Sequence, residues 1–193
     1  MELDANFWES NYQNQQTGWD IGYAATPIKE YIDQLQNKNL KILIPGAGNA
    51  YEVEYLFKKG FKNVFLMDIA ESPINNFKKR LPEFPENHIL QEDFFNHKDK
   101  YDLIIEHTFF CALDKKLRPE YVKKMHSLLK TGGKLCGLLF RIDFGNDHPP
   151  YGGSKEEYIQ LFKDHFVLKT LETAYNSIKP RMNNELFMSL IKK

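Results

Sequence analysis

An apolar run that ends in a glycine-containing turn constrains the fold of this chain more than any other feature. Residues 40–45 are mostly apolar and have the length of a strand, and Gly46-Ala47-Gly48 follows them. A helical pattern then leads to a second apolar run that ends on Asp68. This order of strand, glycine turn, helix, strand and acidic tip is typical of a nucleoside-binding unit in a parallel sheet. An ordinary tight turn is the alternative.

The spacing within this unit indicates which nucleoside it would bind. Asp68 lies 68 − 46 = 22 residues after Gly46, close to the ~20 expected of a carboxylate that accepts hydrogen bonds from ribose. Glycine at the turn would keep any Cβ away from the ligand. Tyr51 stands where a dinucleotide fingerprint has its third small residue, and it would crowd a pyrophosphate. No Gly-Lys-Ser/Thr follows, so S-adenosylmethionine is the remaining common ligand.

Length and composition exclude several classes of protein. A chain of 193 residues fits one domain, residues 1–193, with a six- or seven-stranded sheet. Its 26 basic and 26 acidic residues leave it neutral, which argues against a nucleic-acid partner. Two cysteines are too few for a disulfide framework, and no Cys/His spacing predicts a metal site. Because no signal-peptide pattern or ~20-residue apolar span occurs, we expect a cytoplasmic protein without a membrane partner.

The rest of the chain alternates predicted strands with predicted helices. The strands are expected at residues 40–45, 63–68, 88–91, 101–106, 134–140, 166–171 and 184–191. The helices are expected at 7–16, from Thr26, through 53–57 up to Gly60, from Ser72, at 119–130 and from Ser154. Thr26, Ser72 and Ser154 are the expected N-caps. The alternation predicts an α/β, Rossmann-like, doubly wound and mostly parallel sheet.

Ligands of such sheets bind beyond the carboxyl ends of the strands. The residues expected there are Gly46, Gly48, Asp68, Ile69, Asp93, Phe94, Glu106 and His107. Asp93 could accept a hydrogen bond from an adenine amino group while Phe94 donates its backbone amide to a ring nitrogen. Alternatively, Asp93 is a loop residue that caps a turn. Glu106 and His107 could equally be a solvated pair at the rim.

Several segments, spread over nearly the whole chain, together resemble one family. They are Trp8-Glu9-x-x-Tyr12, Thr17-Gly18-Trp19-Asp20-Ile21-Gly22, Ala25-Thr26-Pro27, Ile44-Pro45-Gly46-Ala47-Gly48, Leu66-Met67-Asp68-Ile69-Ala70-Glu71-Ser72, Glu92-Asp93-Phe94-Phe95, Tyr101-Asp102-Leu103-Ile104-Ile105-Glu106, Phe109-Phe110-Cys111-Ala112-Leu113, Leu117-Arg118-Pro119 and Ser127-Leu128-Leu129-Lys130-Thr131-Gly132-Gly133. This set resembles the thiopurine S-methyltransferase family, and within it the plant and bacterial halide/thiol methyltransferases. The resemblance implies a class I methyltransferase fold with a seven-stranded sheet and S-adenosylmethionine as cofactor.

The resemblance also assigns a role to the aromatic N-terminal segment. In this family the segment, here within residues 1–36, folds over the cofactor as a helical lid. Trp8 and Trp19 would stand over the cofactor, and Tyr12 takes the place of a third tryptophan in plant relatives. Aromatic faces attract a sulfonium cation within ~6 Å. From the residues alone, a hydrophobic staple for a terminal segment is the competing interpretation.

At the acceptor side, the resemblance points to a second group of residues. His107 falls where plant relatives carry a tyrosine beside the cofactor, and Arg118 matches an arginine that the family places near the acceptor. A solvated residue in the first helical turn before Pro119 is the alternative for Arg118. The His148–Tyr151 segment resembles a Pro-Pro-aromatic loop that closes over the acceptor pocket. Phe109, Phe110 and Tyr151 would wall that pocket.

Methyl transfer from a sulfonium to an anion neutralises two charges, so it requires alignment and desolvation more than acid–base help. We therefore expect a thiol, thiopurine or halide acceptor, no obligatory general base, and Arg118 or His107 as the group that orients the anion. A hydroxyl or amine acceptor would need a base, for which His107 or Glu106 are the candidates. A non-catalytic module that only binds S-adenosylmethionine is a third interpretation. A small-molecule acceptor and a monomer or weak homodimer are expected.

Overall fold

The computed structural model describes residues 3–193, so Met1 and Glu2, which the predicted domain and lid include, lie outside the described residues. The strands are β1 (Ile42–Pro45), β2 (Val64–Asp68), β3 (Ile89–Gln91), β4 (Tyr101–His107), β5 (Leu129–Phe140), β6 (Phe166–Thr173) and β7 (Glu185–Lys192). The helices are α1 (Ala5–Gln13), α2 (Thr26–Asp33), α3 (Tyr51–Lys58), α4 (Glu71–Arg80), α5 (Arg118–Leu128) and α6 (Lys155–Phe162). Short 3-10 turns lie at Glu86–His88, Phe110–Ala112, Lys115–Leu117 and Lys179–Arg181.

The strands form one seven-stranded sheet in the order β3-β2-β1-β4-β5-β7-β6. Strands β1 to β5 pair in parallel, and β7 lies antiparallel between β5 and β6. The expected Rossmann-like, mostly parallel sheet is therefore confirmed. Because β1 lies beside both β2 and β4, the winding reverses at β1, and a crevice opens beyond the carboxyl ends of β1 and β4.

The alternation of side chains along the buried strands builds two hydrophobic cores. Ile42 and Ile44 of β1 belong to the core that contains residues of α2, α3 and α4. Leu43, which points to the other face, belongs to the core that contains residues of α5 and α6. Both faces of the central strands are therefore covered, as parallel strands require.

The helix starts differ from the prediction in two of three places. The N-cap of α2 is Ala25, and that of α4 is Ala70; neither makes a side-chain cap bond. The Ser72 amide instead donates to Oε2 of Glu9 on α1 (2.8 Å), so the tertiary contact takes the place of the expected local cap. The prediction of Ser154 as an N-cap is confirmed, since its Oγ accepts from the Glu157 amide at 3.2 Å.

Strand β5 begins earlier than predicted. It starts at Leu129, which pairs with Tyr101 of β4, so α5 ends at Leu128. Gly132 and Gly133, which lie between the predicted helix 119–130 and the predicted strand 134–140, are part of β5. Among residues 3–193, no helix combines the length and hydropathy needed to cross a membrane.

Candidate active site

A cleft of about 1150 Å³ lies at the carboxyl edge of the sheet. We call the part formed by α1, its following loop and the ends of β1, β2 and β3 the β1–β3 end. The part formed by the segments after β4 and β5 and before β7 is the β4–β7 end. The predicted site residues that line the cleft are Trp8, Tyr12, Trp19, Gly46, Gly48, Asp68, Ile69, Asp93, Phe94, His107 and Phe109. The cleft is large enough for a nucleoside-sized ligand together with a small second molecule.

Two glycines shape the turn after β1. Gly46 and Gly48 have φ values of +57° and +53°, in the left-handed region that L side chains rarely adopt. A Cβ on Gly46 would lie 2.2 Å from Cδ2 of Phe109, and one on Gly48 would lie 2.6 Å from the Tyr12 hydroxyl. Glycine is thus required by the backbone conformation and by two aromatic neighbours, in addition to any ligand.

Asp68, at the end of β2, closes this turn. Its Oδ2 accepts from the Gly48 amide (2.7 Å) and its Oδ1 from the Ala70 amide (2.9 Å). Burial raises the pKa of Asp68, and the hydrogen bonds from the backbone amides oppose that rise. Each carboxylate oxygen has a second lone pair, so hydroxyl groups of a ligand can still bind here.

The loop after β3 is held by a buried histidine that sequence reasoning missed. Nδ1 of His97 lies 2.8 Å from a carboxylate oxygen of Glu92, and Nε2 lies 2.8 Å from the Tyr101 hydroxyl. Asp93 caps the turn within this loop, because its Oδ1 accepts from the Phe95 amide at 2.8 Å. The contacts fix the loop at the β1–β3 end of the cleft.

Aromatic residues of the N-terminal segment pack edge to face over the same end. The ring of Trp19 lies 5.5 Å from that of Trp8 and 5.8 Å from that of Tyr12, at nearly right angles to both. Oε2 of Glu9 accepts from the Ser72 amide and so anchors α1 to α4. Asn49, next to the glycine turn, donates to Asp20, which lies in the loop after α1. The segment is therefore tied to the sheet domain on both sides of its aromatic cluster.

A chain of polar contacts lies at the β4–β7 end, and it contains Arg181, which was missed by sequence reasoning and whose Nη1 lies 3.5 Å from Oε1 of the buried Glu185. Nη1 of Arg181 lies 3.1 Å from Nε2 of His107, and Nη2 donates to the Trp19 carbonyl at 2.7 Å. Nδ1 of His107 lies 3.0 Å from Oε1 of Glu52. Because a guanidinium can only donate, Nε2 accepts, and the proton of a neutral imidazole sits on Nδ1. Both ring nitrogens of His107 are therefore engaged.

Glu52 is the anionic end of this chain of contacts. Its side chain is buried, and Oε1 also accepts from the Ala25 amide at 3.0 Å. Burial works to raise the pKa of Glu52, but the contact with His107 and the hydrogen bond from the Ala25 amide outweigh it, so the pKa is lowered. The side chains of Glu52, His107 and Arg181 thus hold one another in place at the wall of the cleft.

Four predicted site residues, Glu106, Phe110, Arg118 and Tyr151, are not among the cleft-lining residues of the described chain. Glu106 is fully buried and accepts from the amides of Phe109 and Phe110 (2.8 and 2.9 Å) and from the Tyr121 hydroxyl (2.5 Å). Burial raises the pKa of Glu106, against the effect of these donors. The side chain shapes the turn after β4 from below.

Arg118 points into the protein and not into the cleft. Its side chain is 3% exposed, forms an ion pair with Glu157 of α6, and lies over the Phe110 ring at 4.7 Å. Nη2 donates to the Gly152 carbonyl at 2.8 Å. Arg118 therefore anchors the loop between β5 and α6 from its buried side.

Phe110 and Tyr151 have structural contacts of the same kind. Phe110 packs against Tyr121 and Tyr158 in the core, with ring centroids at 4.9 and 5.6 Å. The Tyr151 hydroxyl donates to the Asp147 carbonyl (3.1 Å), and its amide donates to the Cys111 carbonyl (2.7 Å). Both residues shape the surroundings of the β4–β7 end without lining it.

Other cleft residues come in part from the segments that carry the family resemblance, among them Leu113, Leu117 and His148–Pro150, and in part from segments without a local sequence signal. The walls of the β4–β7 end include Leu113, Leu117, Phe140, Ile142, Phe144, Pro149, Pro150 and Pro180. Polar and titratable groups there include Asp114, Lys116, His148, Arg181 and Asn184. Within residues 3–193, no three His, Cys, Asp or Glu residues are grouped as metal ligands would be.

The sequence comparisons with known proteins agree on one family, and the comparison of structures shows the fold. The model of the thiopurine S-methyltransferase family matches residues 3–189. A probable thiol methyltransferase 2 of Arabidopsis thaliana is 33% identical over 81% of this chain and 71% of its own. A thiopurine S-methyltransferase of Photobacterium profundum is 22% identical over 95% and 94%. Among solved structures, 1,6-didemethyltoxoflavin-N1-methyltransferase of Burkholderia thailandensis, with bound S-adenosylhomocysteine, has a TM-score of 0.80 at 16% identity, over 98% and 87% of the chains.

Proposed function

We propose that this chain, which belongs to the thiopurine S-methyltransferase family and is an S-adenosylmethionine-dependent methyltransferase, methylates the sulfur of a small thiol. The family establishes the class of reaction and the cofactor. The acceptor is our inference, and it rests on the β4–β7 end of the cleft. The observation that carries it is the Arg181 guanidinium, held between His107 and the Trp19 carbonyl in a largely apolar wall.

The residues of the β1–β3 end fit S-adenosylmethionine. We propose that Asp68 binds the ribose hydroxyls and that Asp93 and Phe94 bind the adenine. Gly46 and Gly48 would let the backbone come close to the cofactor. Trp8, Tyr12, Trp19 and Ile69 would complete the walls. The fit is supported by the lone pairs that Asp68 retains and by the left-handed glycine turn beside it. When bound, the cofactor supplies an electrophilic methyl group on a sulfonium, whose positive charge the aromatic faces would stabilise.

Arg181 is the cation that we assign to the acceptor, in place of the predicted Arg118. Its side chain is 11% exposed, and His107 fixes its orientation through an imidazole that Glu52 in turn holds. A pre-oriented guanidinium attracts a thiolate in a site from which most water is excluded. Phe109 and the apolar residues of the β4–β7 end would exclude that water.

The geometry gives less support to a hydroxyl or amine acceptor that would use either of the predicted bases. Such an acceptor needs a base, and the two candidates were His107 and Glu106. Nε2 of His107 already accepts from Arg181, and the Glu106 carboxylate is buried and bonded to Phe109, Phe110 and Tyr121. A soft anion requires neither residue as a base.

The setting of the enzyme is part of the proposal. We expect a protein of one domain over residues 1–193, monomeric or weakly dimeric, in the cytoplasm. A reducing compartment is supported by Cys111 and Cys136, which are both free thiols. The equal numbers of acidic and basic residues support a small-molecule acceptor rather than a nucleic acid.

A direct test combines calorimetry with an acceptor panel. The protein is titrated with S-adenosylmethionine and then assayed with methyl-labelled cofactor against thiols, thiopurines, halides, catechols and amines. We expect cofactor binding and transfer to thiols in preference to oxygen and nitrogen acceptors. Transfer that favours a catechol or an amine would refute the thiol assignment, and binding without any transfer would favour a non-catalytic module.

A further inference from the structure

We propose that His148 is the general base that removes the proton from a neutral thiol acceptor, an inference that rests on the proposed function. A thiol with the acidity of cysteine has a pKa of about 8.5, so most of it is protonated at neutral pH. Only the thiolate is a strong nucleophile. A cleft that orients an anion but lacks a proton acceptor would therefore use only a small fraction of such a thiol.

The other histidine of the cleft cannot easily take this proton. Nδ1 of His107 bonds to Glu52 and Nε2 accepts from Arg181, so a proton on Nε2 would displace the guanidinium. Protonated His107 would also bring a second positive charge next to Arg181. The geometry of His107 suits orientation of Arg181 and not proton transfer.

His148 has the opposite arrangement. The residue is exposed and lines the cleft, and its Nδ1 lies 2.8 Å from the carbonyl oxygen of Pro149. Because a carbonyl can only accept, Nδ1 carries the proton, and Nε2 of the neutral imidazole holds the lone pair. The His148 side chain makes no other hydrogen bond to residues 3–193. Nε2 is thus available to a thiol.

The loop that carries His148 is anchored from below. The Tyr151 amide donates to the Cys111 carbonyl at 2.7 Å, and the Gly153 amide donates to the Ile142 carbonyl at 3.1 Å. Arg118 holds the Gly152 carbonyl from the buried side. These contacts keep His148 at the β4–β7 end, where Arg181 also lies.

The proton transfer conserves atoms and charge. The S–H bond of the thiol breaks, its electron pair stays on sulfur, and an N–H bond forms at Nε2 of His148. The resulting thiolate lies opposite Arg181, and the imidazolium releases its proton to solvent through its exposed face. The charged groups of the same end are Glu52 on α3, Asp114 and Lys116 after β4, Arg181 before β7 and Glu185, which pairs with Arg181. Asp143 and Asp147 belong to the loop of His148.

The test compares two acceptors of similar size and different acidity. Benzyl mercaptan is mostly protonated at pH 7, whereas 4-nitrobenzenethiol is mostly ionised. General-base catalysis contributes about 10²–10⁴-fold, so His148→Gln should lower kcat/KM for benzyl mercaptan at least about tenfold. The same variant should change kcat/KM for 4-nitrobenzenethiol by less than about twofold, because no proton has to be removed.

Two further measurements separate catalysis from structure. Added imidazole should restore part of the benzyl mercaptan activity of His148→Ala, since it can enter the space of the missing ring. His165→Gln is the matched control: His165 precedes β6 at the opposite edge of the sheet, and the change should affect neither acceptor. Thermal melting of the His148 variants should stay near that of the wild type because the residue is exposed.

Each outcome decides the proposal. An equal loss with both thiols would show that His148 only shapes the pocket, and no loss with benzyl mercaptan would exclude it as the base. Wild-type activity with 4-nitrobenzenethiol in either case would leave the methyltransferase function standing. If the wild-type protein methylated neither of the two thiols and no other acceptor of the panel, the proposed function would be wrong, and so would the role of His148.

Discussion

The two ends of the cleft differ in how their residues are distributed along the chain. The β1–β3 end is built from short segments in which several neighbouring residues all face the cleft, such as Gly46–Gly48 and Asp93–Phe95. The β4–β7 end combines such a segment, residues 107–117, with side chains from far along the chain: Arg181 contacts the Trp19 carbonyl across 162 positions. A local motif can describe the first kind of site, whereas the second exists only once the loops have packed.

The two arginines show the consequence most clearly. Arg118 lies next to Leu117, which lines the cleft, yet its own side chain turns inward to Glu157 and Gly152. Arg181 stands in a segment without a recognisable motif and reaches His107 from the C-terminal part of the chain. A cation that orients the acceptor and a cation that supports the fold therefore cannot be distinguished by residue type.

The largest effect is expected at the β1–β3 end, from Asp68→Asn. The change removes the charge and one acceptor from a carboxylate that we assign to the ribose, and hydrogen bonds to charged groups contribute about 1.5–3 kcal/mol each. We expect the Kd for S-adenosylmethionine to rise about 100-fold by calorimetry. Asp33→Asn, an exposed carboxylate on α2, should leave the Kd unchanged. Unaltered binding in Asp68→Asn would remove the ribose assignment.

Arg118→Met should act on stability. The change removes a buried guanidinium from Glu157 and from the Gly152 carbonyl, which we expect to lower the free energy of unfolding by about 2–4 kcal/mol. Denaturant titration measures this loss. Arg141→Met, at an exposed arginine that bonds Thr173, should change stability by less than about 0.5 kcal/mol. If the Arg118 variant were as stable as the wild type and had a lower kcat/KM for acceptors alone, the original prediction of Arg118 as an acceptor-binding residue would be favoured.

Arg181→Met should act on turnover instead. Loss of one charge-assisted contact to a thiolate corresponds to about a 10–100-fold lower kcat/KM for thiols. The Kd for S-adenosylmethionine should change by a smaller factor, although the bond to the Trp19 carbonyl is lost. Arg181→Lys keeps the charge and should retain an intermediate activity. An Arg181 variant that weakens cofactor and acceptor equally would contradict the division between the two ends.

The smallest effect is expected from Trp19→Leu. If the aromatic cluster stabilises a sulfonium, the variant loses a cation–π interaction of about 0.5–2 kcal/mol, or about 2–30-fold in Kd for S-adenosylmethionine. S-adenosylhomocysteine has no positive sulfur, so its Kd should rise less, and calorimetry with both ligands gives the ratio. Tyr175→Leu, at an aromatic residue 81% exposed, is the control. Equal losses for both ligands would indicate a role in packing alone.

The patterns that were readable in the sequence are those that depend on near neighbours. Apolar runs and the glycine turn predicted the strands and their order of alternation, because backbone conformation and the burial of one strand are local properties. Asp68 was placed correctly at a strand end for the same reason. The N-cap of α4 was predicted wrongly because a tertiary contact, from Glu9 to Ser72, replaced the local one. The predicted cap of α2 was also wrong, since α2 follows Ala25 without a side-chain cap bond.

The direction of each charged side chain was decided by the folded protein alone. Whether Arg118, Glu106 or Arg181 faces the cleft depends on partners that the chain brings from distant positions: Glu157, Tyr121 and His107. A buried charge turns toward the groups that compensate its desolvation, and those groups come together only when the sheet and loops have formed. The amino-acid sequence thus predicted the strand-end segments that line the cleft, and the tertiary structure decided which charged side chains face it.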